Sequence, residues 1–242
     1  MIYAQGFFDL QLQFAQTVSV LSGLPMGRVL LEYTNWTSST SGSASPSARG
    51  ARVGVGSRTV VLVGLVWLLV AIAVGMVSAM PAPPLILFGL TLVVLAAGLF
   101  IAGFRAWLAS VDERWLVALH LTRFIGIYFL YLYGSGELPH AFAVPGGWGD
   151  IAVASLAAGL LMWGSPRAAR RRPAYIAWNV LGLADILFVV ATAARLATAD
   201  PQSMASLLRL PLSLLPTFLV PLIIASHVVL GVRLARRGPA QR

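Results

Sequence analysis

The stretch LVALHLTRFIGIYFLYLY, residues 116–133, sets His120 and Arg123 inside a run of aliphatic and aromatic side chains. An ionised arginine in such surroundings needs a facing acid, a polar ligand or water, because isolated charge in an apolar medium is costly. NVLGLADILF supplies an acid, Asp185, and the same segment carries Asn179. PLIIASHVVLG supplies a further imidazole, His227. An arginine faced by a carboxylate and flanked by imidazoles is the chemistry of a counter-ion with hydrogen-bond or proton partners. Matched histidines on two helices also suit the axial ligation of a b-type haem, with His120 and His227 on one iron.

A second polar group lies in GSGELPHAFAVPGGWGD, residues 134–150, with Glu137, His140 and Asp150 among glycines and prolines. Turn residues at that density predict a shaped loop. Asp150 stands where it would cap a following helix, and Glu137 with His140 is a minimal metal-ligand pair.

Other chemistry is excluded by residue type. There is no cysteine, which removes thiolate catalysis, disulfides and cysteine-held metal centres. All 17 basic residues are arginine, so a lysine Schiff base and a lysine phosphate site are absent. No nucleotide-binding, zinc-hydrolase or intramembrane serine-protease motif is present, and no residue set points to an enzyme.

The elements that position these groups follow from composition. The chain is 58% apolar and only 10% charged, with a mean hydropathy of +0.84, whereas a soluble domain is roughly 25% charged. Runs of roughly 20 apolar residues cross ~30 Å of hydrocarbon as helices. Six such runs occur, over 58–80, 84–104, 115–134, 149–163, 175–197 and 211–234. The expected fold is therefore an all-α polytopic membrane bundle with six transmembrane helices.

Arginines at 49–58, 105–114, 167–172 and 233–242 fall on one side of that arrangement, and only Arg195 and Arg209 on the other. The positive-inside rule then places both termini in the cytoplasm, and the expected location is a bacterial inner membrane. Trp107, Trp115, Trp163 and Trp178 would lie at the inner interface and Trp148 at the outer. The net charge of +9 is accounted for by arginines beside anionic lipid, without nucleic acid. The partners expected are the bilayer itself and a membrane protein or a second copy of the chain.

Residues 1–35 read as an amphipathic helical segment, with Phe7, Leu10, Phe14, Val18 and Leu21 on one stripe. Residues 36–57 form a Ser/Gly-rich linker, 58–234 the transmembrane domain and 235–242 a basic tail.

Helical rise puts His120 about 7 Å and Arg123 about 12 Å along the third run, and Asp185 ~15 Å along the fifth. His227 lies at a depth like that of His120. At 100° per residue, His120, Arg123, Ile127 and Tyr131 share a face. The sequence thus points to a ligand site of His120, Arg123, Tyr131, Asn179, Asp185 and His227. Three proline positions, Pro211, Pro216 and Pro221, predict an irregular outer half for the last run. These features favour a carrier or ligand-binding membrane subunit for a small polar or anionic molecule. The alternatives are haem b or quinone redox work and a structural or assembly subunit.

Overall fold

The computed structural model describes residues 57–77, 83–166, 168 and 170–236. The amphipathic segment, nearly all of the linker and most of the basic tail lie outside the described residues. Within them the protein is all helical. Six helical segments are long and apolar enough to cross a membrane: Arg58–Met76, Pro83–Phe100, Glu113–Gly134, His140–Trp163, Arg172–Ala199 and Leu215–Arg236. This is an integral membrane protein. Its first two spans expose Leu62, Leu69, Leu85 and Leu92 over more than half their surface, the pattern of side chains solvated by lipid.

The third span is wound unevenly, with α-helix at Glu113–Ala118, a 3₁₀ stretch at Leu119–Ile125 and α-helix again at Gly126–Gly134. Asp112 caps its start by accepting from the Arg114 amide at 2.8 Å. In 3₁₀ geometry residues three apart eclipse one another. The buried positions accordingly run Val117, His120, Arg123, Gly126, Phe129 and Leu132. This differs from the α-helical face expected from the sequence. Ile127 is 52% and Tyr131 63% exposed, and Tyr131 stacks on Tyr128 away from the buried line.

The fourth span begins at His140, not at residue 149. Pro139 precedes it, and three of the five glycines that suggested a shaped loop, Gly146, Gly147 and Gly149, lie inside the helix. Pro145 is accommodated at an exposed position near its start, at the loss of one main-chain bond. The glycines serve close approach to the third span. A methyl group on Gly147 would stand 2.9 Å from the Gly126 carbonyl oxygen, and one on Gly126 would strike the Gly147 carbonyl and lie 2.9 Å from Asp150 Cβ.

The last span starts with a π-turn, Leu215–Leu219, before the α-helix Val220–Arg236. Pro221 has no amide hydrogen, so the Thr217 carbonyl four residues earlier loses its helical donor. Trp67 Nε1 of the first span donates to that oxygen at 2.8 Å. Its ring meets Phe218 edge to face with centroids 5.1 Å apart. On the opposite side of the bundle Arg233 donates to the carbonyls of Leu108 and Val111, tying the last span to the short helix Ala102–Ser110. This satisfies carbonyls that a helix end leaves open.

Candidate functional site

Arg123 is 1% exposed and is held by three neighbours. Its Nε donates to Asp150 Oδ1 at 2.6 Å, and its Nη1 to the Gly182 carbonyl at 3.0 Å. Its Nη2 donates to Asp185 Oδ2. The partners come from the fourth and fifth spans, so one side chain joins three helices. Such charge-assisted bonds are shorter and stronger than neutral ones.

Asp150 is the member that sequence reasoning misplaced. It was expected as a helix cap in an outer loop, but it lies eleven residues into the helix that begins at His140 and is 3% exposed. The Gly126–Gly147 approach carries it to Arg123. The signal was available in principle, since GGWGD read as helix places Gly147 and Asp150 three apart and on one face. Glu137 and His140 do not join it. Ser206 donates to Glu137 Oε2 at 3.3 Å, and His140 lies edge-on to Tyr133 with centroids 5.3 Å apart. No three-residue metal-ligand group occurs among the described residues.

A second cluster adjoins the first through Gly182. His120 and His227 are both fully buried, with ring centroids 4.1 Å apart. Trp178 packs against both rings at 4.9 and 5.5 Å, and its Nε1 donates to the Val153 carbonyl at 3.0 Å. Trp178 was expected at the inner membrane interface; at 3% exposure it is instead part of this core.

The hydrogen bonds fix the tautomer of His227. Asn179 Nδ2 donates to the His227 carbonyl at 3.1 Å. That carbonyl only accepts, so the amide oxygen must face His227 Nδ1, at 3.0 Å, and Nδ1 carries the proton. Ser226 Oγ lies 2.9 Å from His120 Nε2 and 2.8 Å from the Ile223 carbonyl oxygen, bridging the ring to the last span. The remaining ring nitrogens, His120 Nδ1 and His227 Nε2, have no hydrogen-bond partner. His227 Nε2 thus presents a bare lone pair inside the bundle, and a methyl group on Gly182 would stand 3.0 Å from it.

This geometry corrects the haem expectation. Two imidazoles on opposite faces of one iron, with metal–nitrogen bonds of roughly 2 Å as in zinc–histidine sites, have ring centres ~6 Å apart. Rings at 4.1 Å touch one another directly. No porphyrin fits between them.

The Arg123 cluster floors a cavity of about 100 Å³. Leu87 of the second span, Phe129 of the third, Ile186, Val190 and Ala193 of the fifth and Val220 of the last form much of its wall. Pro83, Met204 and Pro216 stand at the end where the second and last spans begin. Arg123 and Asp150 are its charged lining residues. Oδ1 of Asp150 is taken by Arg123. Of the residues expected at a site, Arg123 and Asp185 meet directly, and His120, Asn179 and His227 form the adjoining cluster. Tyr131 stands apart from both.

No curated protein and no solved structure matches the chain. Residues 80–235, which include every residue of both clusters, match the family described as Domain of unknown function (DUF8737), and the chain belongs to that family.

Proposed function

We propose that the protein is a carrier or ligand-binding subunit of the bacterial inner membrane, with both termini in the cytoplasm. Its ligand is a small amphipathic molecule that buries an apolar body in the cavity between the second, third, fifth and last spans. The ligand sets a polar group against Arg123 and Asp150. One observation carries the reading: apolar residues of the second, third, fifth and last spans, with Phe142 of the fourth, line a cavity to which Arg123 and Asp150 also contribute. Binding sites of this kind combine an apolar wall with a few convergent polar groups. Intramembrane charge is costly enough that it is kept mainly where it acts on a substrate, an ion or a proton.

The arginine-poor side of the bundle, where Pro83, Met204 and Pro216 lie, is the exported side in this reading. The ligand therefore enters from that side or laterally from the outer leaflet. The π-turn and the prolines of the last span border the entrance, and irregular backbone within a membrane is tolerated where it lines such a cavity.

The test is to fill the cavity. Ala193→Phe places a ring among Phe129, Val189 and Leu215 without touching the ion cluster. Mass spectrometry of the purified wild type is expected to detect a bound small molecule in stoichiometric amount, and the variant is expected to lose it while keeping its fold. A wild type that carries nothing, together with a variant that is simply more stable, would identify the cavity as a packing void.

A further inference from the structure

We propose that Asp185 is a proton-binding site on the lipid-facing side of the bundle: Asp150 serves as the carboxylate of Arg123, and the carboxyl of Asp185 holds a proton on Oδ1. The ligand is the proton, and the inference stands apart from the cavity as a ligand site, since Asp185 is not among the lining residues.

Stoichiometry is the first ground. One guanidinium meets two carboxyl groups, Asp150 through Nε and Asp185 through Nη2. One carboxylate neutralises it, and a second would stand as surplus charge in an apolar medium, which is costly. Two carboxyl groups that share a site in this way hold a proton between them. The other groups around Asp185 do not change the count. His120 and His227, on the third and last spans, pair with Ser226 and Asn179. A further proton on either ring would set a second cation beside Arg123, on a nitrogen with no hydrogen-bond partner. The second span, Pro83–Phe100, and the turn Pro201–Leu208 carry no titratable side chain. On the fifth span Arg172, Tyr175 and Arg195 are ten or more residues away.

Surroundings decide which acid takes the proton. Leu181 and Phe188, four residues before and three after Asp185 and so on its helix face, are 61% and 53% exposed. Asp185 stands at the middle of a 28-residue helix, Arg172–Ala199. The 20% of its side chain left open therefore meets lipid chains, which solvate no charge. Asp150 is 4% exposed, lines the cavity and is held by Arg123 at 2.6 Å. Arg123 bonds Oδ2 of Asp185, and Oδ1 lies against Gly149, where a methyl group would strike it. The missing side chain leaves room for a carboxyl between the fourth and fifth spans.

The experiment treats the full-length chain in maltoside micelles with dicyclohexylcarbodiimide, an apolar reagent that consumes protonated carboxyl groups. The carboxyl oxygen bonds to the central carbon, the proton passes to a nitrogen, and rearrangement leaves a stable N-acylurea carrying the mass of one whole reagent molecule. Peptide mass spectrometry locates the label. Asp185 is expected to be labelled in the wild type and spared by a water-soluble cationic carbodiimide. Raising the pH until the carboxyl ionises is expected to cut the labelling at least tenfold. In Asp150→Asn the arginine has only Asp185 to neutralise it, so Asp185 is expected to ionise and lose its label to the same extent. Should that variant fail to fold, the wild-type labelling decides alone. An unlabelled Asp185, a label on Asp150 in its stead, labelling that does not fall with rising pH, or an Asp150→Asn variant labelled as strongly as the wild type overturns the inference.

Discussion

Removing charges from the Arg123 cluster one at a time should give a strongly non-additive series. With Arg123→Met, two carboxylates face one another without a cation and the Gly182 carbonyl loses its donor. Breaking a buried pair in this way costs about 3–5 kcal/mol, since charge is left uncompensated. Each single aspartate change is milder. In Asp185→Asn the arginine keeps Asp150, and in Asp150→Asn it keeps Asp185, so one carboxylate still faces the guanidinium. What is lost is one charge-assisted bond, worth ~1.5–3 kcal/mol in soluble proteins and less within membranes, where hydrogen bonds average ~0.6 kcal/mol. Asp150→Asn should cost the more of the two, because its side chain is 4% exposed against 20% for Asp185. With both aspartates changed the guanidinium keeps no carboxylate at all, so the double change Asp150→Asn with Asp185→Asn should cost more than the sum of the singles. The assay is reversible unfolding in mixed micelles with rising denaturing detergent, analysed as a double-mutant cycle. Equal costs for Arg123→Met and either single aspartate change, or strict additivity of the two aspartates, would refute the three-member cluster.

Three further outcomes follow from the same geometry. Gly182→Ala would set a methyl 2.7 Å from His227 Cε1, and overpacking of this kind should destabilise by ~1–3 kcal/mol; Gly159→Ala, with open space at that position, should leave the melting temperature unchanged. Asn179→Leu leaves His227 Nδ1 without an acceptor and should cost about 1–3 kcal/mol, visible as a lowered melting temperature and as a shift in the His227 ring resonances. A reporter inserted at Gly136 in the turn after the third span should be exported, and one fused after Arg242 should stay in the cytoplasm, as the arginine distribution requires; an exported carboxy-terminal fusion would reverse the orientation.

Composition alone sufficed for the class of this protein. Apolar runs of spanning length and a low charge content leave a helical membrane bundle as the arrangement that satisfies its backbone, and Asp185 could be matched to Arg123 by counting depth along ideal helices. That count works because rise per residue is local. It failed where winding changes: the 3₁₀ stretch at Leu119–Ile125 rotates the rest of the third span and turns Tyr131 outward, and no propensity of LHLTRFI announces it. The fourth span failed for a different reason. Glycine and proline in GSGELPHAFAVPGGWGD favour turns in water, but against another helix glycine offers the smallest surface, and packing of Gly126 on Gly147 overrides the local preference. Asp150 therefore emerged as a partner of Arg123 only in three dimensions. The tautomer of His227 and the burial of Trp178 belong to the tertiary structure as well, because each depends on which groups from other helices arrive opposite, and helix periodicity carries no record of its neighbours.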